Sequence, residues 1–188
     1  MGLDMYLSRK IYVGANYDYN NVKGTCNLQR NNKKIPINFN KIEYIIEDAG
    51  YWRKANHIHR WFVDNVQGGV DDCRTYYVQI SQLKELLDLC KKVKNKAILK
   101  EGKIITGQRF ENGEIENIYR DGKYIENAEE IAKILPTTSG FFFGSTEYDE
   151  YYMYDIDETI KIIEEQLKRD KELSEQGIDS YLEYSSSW

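Results

Sequence analysis

The chain has 188 residues, 41% of them hydrophobic and 30% charged, with a formal net charge of −5 at pH 7. That length suits a single domain, and the apolar share supports a packed core, which excludes wholesale disorder. No stretch approaches the roughly 20 apolar residues of a membrane span, and three cysteines without a CxxC pair (Cys26, Cys73, Cys90) argue against a disulfide scaffold and a zinc knuckle.

In chain order, the loose alternation ending in Ile11-Tyr12-Val13 predicts a first strand, followed by a loop from Gly14 to Gly24 rich in Asn, Asp and Tyr. Cys26–Leu28 and Lys34–Asn38 read as short strands around the polar turn Gln29–Lys33, and Ile42–Ile46 as a further strand. From Tyr51 to Val66 the period changes: Trp52, Ala55, His59, Phe62 and Val66 fall at helical spacing, and Gln67-Gly68-Gly69 ends the helix. Thr75–Ile80 is a strand candidate, and Ser81 caps a helix with Leu83, Leu86, Leu87, Cys90 and Val93 on one face. Between Lys100 and Ile125, the turn signals Glu101-Gly102-Lys103, Asn112-Gly113 and Asp121-Gly122 predict a hairpin or a three-stranded meander. Asn127 caps a short helix stopping at Leu135-Pro136, and Phe141–Phe143 reads as a buried strand. Ser145 or Thr146 then caps a long helix reaching Gln176, with Tyr152, Ile156, Ile160, Ile163 and Leu167 inward. This order predicts an α+β fold, a small, mixed and mainly antiparallel sheet packed by three to four helices. Residues 1–176 form one domain with a β-hairpin insertion over 97–125, and 177–188 form a polar tail that frays.

Charge is unevenly spread. Residues 145–188 hold 13 acids against 4 bases, which leaves residues 1–144 with a balance of +4. Such asymmetry points to an electrostatic partner; the acidic end repels DNA and RNA, so no strong direct nucleic-acid binding is expected. The N-terminal residues lack a basic segment followed by an apolar one, and Tyr6 stands where a myristoylation signal has Ser or Thr, so the expectation is a cytoplasmic protein with no membrane attachment.

Four stretches have the residue types for chemistry. Gly50–Phe62 holds aromatic, basic and imidazole side chains. His57 and His59 point about 200° apart on a helix and cannot chelate one ion, and His59, on the apolar stripe, reads as a hydrogen-bonded core histidine. Arg53, Lys54 and Arg60 beside Trp52 and Trp61 could hold phosphate and stack a base, but without a wider basic stripe a solvated helix face is the better reading. Asp71-Asp72-Cys73 reads as a polar turn; folded over the first helix, it would bring His59, Asp72 and Cys73 into one site. Phe143–Thr146 imitates a phosphate cradle, but Glu147, Asp149 and Glu150 would repel the anion. Glu147–Glu158 places six acids and four tyrosines in twelve residues without a base. Acids near a helix start are ordinary design. Asp155, Asp157 and Glu158 lie beyond the first turn, however, where carboxylates and tyrosines suit docking on an Arg-rich surface.

Taken together, the blocks MGLDMYL, GYWRKANHIHRWF, DDC and LPTTSGFFFGSTEYDEYY resemble a family of small accessory proteins encoded by phages and prophages. The likeness runs in patches from Met1 to Leu167, and the 97–125 stretch stands outside it as an insertion. The chain is also similar to anti-CRISPR proteins that inhibit Cas9. The resemblance implies a non-enzymatic inhibitor that binds a Cas9-type nuclease, alone or with guide RNA, and hinders DNA engagement by competing for its cationic side chains. The expected contact is Tyr148, Asp149, Glu150, Tyr151, Asp155, Asp157 and Glu158, with no catalytic residue, metal or cofactor. The alternative is a small enzyme or ligand-binding protein whose site holds Arg53, Lys54, Asn56, His59, Asp72 and Cys73. A homo-oligomer built on the tyrosine-rich helix is a third expectation.

Overall fold

A computed structural model describes residues 2–14, 16–17, 22–111, 114–140 and 142–188. The fold is α+β. Strands β1 (Asp4–Tyr12), β4 (Tyr44–Arg53), β5 (Tyr76–Val78) and β8 (Ser180–Ser187) make an antiparallel sheet in the order β4-β1-β8-β5. Two hairpins stand apart from it: the small β2 (Leu28–Arg30) with β3 (Lys33–Ile35), and the long β6 (Leu99–Glu111) with β7 (Glu114–Ile125). The helices are α1 (Asn56–Asn65), α2 (Ile80–Lys96), the short α3 (Ala128–Ala132) and α4 (Glu150–Glu175).

Alternation along β1 decides which face is covered. Met5, Leu7, Arg9 and Ile11 point inward and are buried, whereas Tyr6 points out beside Tyr51 of β4. On the inner face lie Trp52, whose indole N–H donates to Thr159 of α4, and Tyr184 of β8, stacked on Phe62 of α1 at 3.9 Å between ring centres. Gly50 lets α4 approach closely: a Cβ there would meet Ile162 at 2.6 Å. The apolar face of α2 (Leu83, Leu86, Leu87, Cys90, Val93) is buried as its 3.6-residue spacing requires, and Lys94 and Lys91 pair with Asp157 and Glu164 across to α4.

Several elements differ from the sequence expectation. Tyr51–Arg53 continue β4 instead of opening the helix, because pairing with Asp4–Tyr6 satisfies their backbone and suits aromatic side chains. The chain then turns through Lys54, a non-glycine residue at φ 60, before α1 begins at Asn56. The small hairpin turns on Asn31-Asn32, both at positive φ, so its strands lie nearer the middle than Cys26–Leu28 and Lys34–Asn38. Gln79, not Ser81, stands at the start of α2, its N–H donating to the Gln82 side chain at 2.8 Å. Asp149, not Ser145 or Thr146, caps α4, its Oδ1 accepting from the N–H groups of Tyr151 and Tyr152. Phe142 and Phe143 lie in a turn and bend, not a strand.

The largest correction is the tail. Residues 180–187 form β8, a central strand between β1 and β5 with Leu182, Tyr184 and Ser186 buried; they belong to the domain and do not fray. Within 100–125 the chain makes one hairpin: Gly102 and Gly122 pair with each other inside the strands, so two of the three turn signals are not turns. The third, Asn112-Gly113, lies outside the described residues, as do Phe141 and part of the 14–24 loop.

Candidate functional site

The turn that joins β4 to α1 is held from three sides. The Lys54 N–H donates to Leu3 O, and the Asn56 N–H to Lys54 O, closing a tight turn at Ala55 (φ −77, ψ 69). The Asn56 side chain, buried, reaches the opposite segment: its Nδ2 donates to Phe143 O and Ser145 O, and its Oδ1 accepts from Thr138 N. Asn56 therefore ties Thr138, Phe143 and Ser145 to the start of α1, and both of its N–H donors are taken. Gly144, at φ 90, completes the approach, since a Cβ there would meet Lys54 Cβ at 3.0 Å.

The long hairpin closes the other side. The Ile125 N–H donates to Tyr148 O, while Arg120 meets Glu150 at 2.5 Å and the Tyr151 hydroxyl at 2.7 Å. A bulge between Ile105 and Gly107 brings Thr106 toward the start of α4. These elements line an open cavity of about 760 Å³, with Arg53, Lys54, His57, Thr137, Ser139, Gly140, residues 144–147, Asp149 and Asp155 in its wall beside Tyr151 and Tyr154.

Two of its polar groups have no partner. Among the described residues four buried side-chain polar atoms lack a hydrogen bond, and His57 Nε2 and Asp149 Oδ2 are two of them; each residue is only 2% exposed. His57 lies against Tyr152, with ring centres 4.2 Å apart, and burial pushes its imidazole down to about 3, so it is neutral. Burial also raises Asp149, against the pull of its two backbone donors. Asp155, half-buried, is pushed up to about 7, first by burial and then by the charge of Asp149. The cavity therefore holds two interacting carboxyls, one of which keeps its proton near neutrality.

The remaining sequence candidates lie elsewhere. His59 is fully buried, its Nδ1 2.8 Å from the Tyr184 hydroxyl and its Nε2 3.1 Å from Asp71 Oδ1. The carboxylate that meets it is Asp71, not Asp72: Asp72 turns away to Arg74 and Tyr76, and the Arg74 hydrogen bond holds its carboxyl below the usual range. Cys73 is exposed. The set Arg53, Lys54, Asn56, His59, Asp72 and Cys73 is thus divided, with the first three at the cavity and the others beyond the core histidine. Trp52 and Trp61, buried, offer no face for stacking a base. No cluster of potential metal ligands occurs among the described residues.

The acidic set is dispersed as well. Asp149 is a buried cap, and the Tyr148 hydroxyl accepts from Thr137 N. Glu150 pairs with Arg120, Asp157 with Lys94 and Glu158 with Lys161. Of the seven, Tyr151 is the most exposed, at 52%. What sequence reasoning missed is that Asp149, Tyr151 and Asp155 of the block expected to bind a partner and Arg53, Lys54 and Asn56 of the block expected to bind a ligand line one cavity, together with His57, Tyr154 and the bulged Thr106. The detectable signal was the polar density of both blocks; the contact between them depends on tertiary pairing.

No family model, curated protein or solved structure matches this chain.

Proposed function

We propose that the chain is a ligand-binding protein whose site is the cavity between the start of α1, the 137–147 loop, the long hairpin and the start of α4. One observation carries this reading: His57 and Asp149, each holding a buried polar atom without a partner (Nε2 and Oδ2), both line a single cavity of about 760 Å³. Buried polar groups are ordinarily hydrogen-bonded, and leaving one unpaired costs about 1–3 kcal/mol. A volume of this size falls in the range that accepts a small organic ligand.

The test is a thermal-shift screen with a library of small polar molecules, run on the chain and on a Ser139→Trp variant. Ser139 is exposed at the cavity wall, so the indole fills the site without entering the core. A ligand at one hundred times its Kd stabilises by about 2.7 kcal/mol and raises the Tm of the chain but not of the variant. A library in which no compound separates the two proteins would sink the reading.

Inhibition of a Cas9-type nuclease by direct binding, as the resemblance implies, is a second proposal. The exposure of Tyr151 and Tyr154 on α4, one turn apart and close to Glu158, favours it. Internal pairing of Glu150, Asp157 and Glu158 weighs against a mainly electrostatic contact. Pull-down with guide-loaded Cas9 at low and high salt tests it; recovery that falls at high salt, and falls again on charge reversal at Asp157 and Glu158, is the expected result. No recovery of Cas9 by the folded protein dismisses it. This second reading would put the chain in the cytoplasm of a bacterial host.

A further inference from the structure

Wall chemistry narrows the class of ligand. Among the described residues lining the cavity, Ile105 alone is aliphatic, and the rest of the apolar surface belongs to tyrosine rings and the stems of polar side chains, a poor match to a lipid chain. Glu147, Asp149 and Asp155 disfavour a phosphate group at the same place, even with Arg53 and Lys54 across the cavity. Elsewhere the wall consists of hydroxyl groups (Thr106, Ser139, Thr146), carboxyls, the two cations and tyrosine rings. Such a surface can both donate to and accept from a ligand at many points, with charge-assisted hydrogen bonds at the carboxyls and at Arg53.

A dense array of ligand hydroxyls is the chemistry that matches it. Tyr154, 61% exposed, supplies the other half of the fit, since the weakly positive C–H faces of a pyranose ring rest favourably on the negative face of an aromatic ring. Resting on the ligand-site reading above, we infer that the cavity binds a saccharide, with Asp155 contacting ring hydroxyls and Tyr154 supporting a sugar face. The cavity volume of about 760 Å³ has room for a ligand of more than one ring. The bulge at Thr106 and the clamp made by Asn56 are what set the two sides of this cavity at their spacing.

Isothermal titration with maltotriose, cellotriose and tri-N-acetylchitotriose tests the inference, followed by the same sugars on Tyr154→Ala and Asp155→Asn. At least one trisaccharide should bind, with each substitution weakening it about tenfold, the effect of losing one good contact. Tyr154 is too exposed for its truncation to unfold the chain, so this variant stays informative if Asp155→Asn disturbs α4. Binding that is indifferent to both substitutions places the sugar elsewhere and overturns the inference. Should no saccharide bind while the thermal-shift screen finds another polar ligand blocked by Ser139→Trp, the saccharide assignment falls and the ligand site stands. If neither experiment finds a ligand, both fall together.

Discussion

Arg9 occupies an inward position of β1, where Met5, Leu7 and Ile11 are its apolar neighbours, and it is completely buried. Its guanidinium is nonetheless well served, donating to Gln166 Oε1 and O, to Asp170 Oδ1 and to Ser180 Oγ. Arg9→Ala should destabilise by about 3 kcal/mol in urea unfolding, the scale set by removing one partner of a buried ion pair. A loss below about 1 kcal/mol would mean that the network carries little weight. Asp155 behaves in the opposite sense. The folded chain keeps its proton up to about 7, whereas an ordinary aspartate releases it near 3.8, so the native state binds more protons between those values. Stability from this group therefore falls as pH rises through that window, and the full penalty applies above it. Asp155→Asn should raise the Tm by about 2–4 °C near pH 8, equivalent to about 1 kcal/mol after allowing for solvent screening of a half-buried group, and change it little below about pH 4. An equal gain at both pH values would assign the effect to packing. Neither role was legible in the sequence: Arg9 sits in a strand whose alternation says only that it points inward, and Asp155 looks like one more acid in an acidic helix.

At the scale of elements, periodic segments were readable and paired ones were not. The buried face of α2 follows from spacing alone, and so does the inward stripe of α4, because helical hydrogen bonds are local. β8 was hidden by composition. Four serines among its eight residues dilute the alternation of Leu182 and Tyr184, and its hydrogen bonds come from β1 and β5, far away in the chain. Deletion of residues 178–188 should abolish the cooperative thermal transition and the near-UV signal, since it leaves Phe62 and His59 without Tyr184, β5 unpaired and β1 with only one of its two neighbours. A truncated chain that still melts cooperatively would show that β8 is dispensable. The start of α4 was misread for a related reason. Ser145 and Thr146 have the composition of a cap, but the Ser145 carbonyl is taken by Asn56 and the Tyr148 carbonyl by Ile125 of β7, so the helix waits for Asp149.

For the molecule as a whole, the long hairpin is an appended wall. A two-stranded hairpin has marginal stability alone, and this one is anchored near its base by Glu126 N–H to Ile98 O, by Asn127 to Ile98 and Lys96, and by Arg120 to Glu150. Replacing residues 103–121 with an Asn-Gly turn should keep the domain folded, with a Tm within about 4 °C of the parent, while removing the Ile105–Gly107 side of the cavity. Ligand-induced stabilisation should disappear in that variant. Its persistence would place the site away from the hairpin, and loss of folding would make the hairpin part of the core. The turn signals of the sequence pointed to a hairpin here but to no part in a site, because only the three-dimensional path returns it to α4.

Pairing of β1 with β8 also sets an order of events during synthesis. Asp4 meets Ser187, so the middle of the sheet cannot close until almost the whole segment has left the ribosome. Until then β1 and β4 form at most a ribbon with one open edge and an uncovered Trp52, a surface prone to wrong partners and to chaperone capture. Contacts so remote in sequence also slow the final step, which makes the nascent chain more vulnerable than the finished domain.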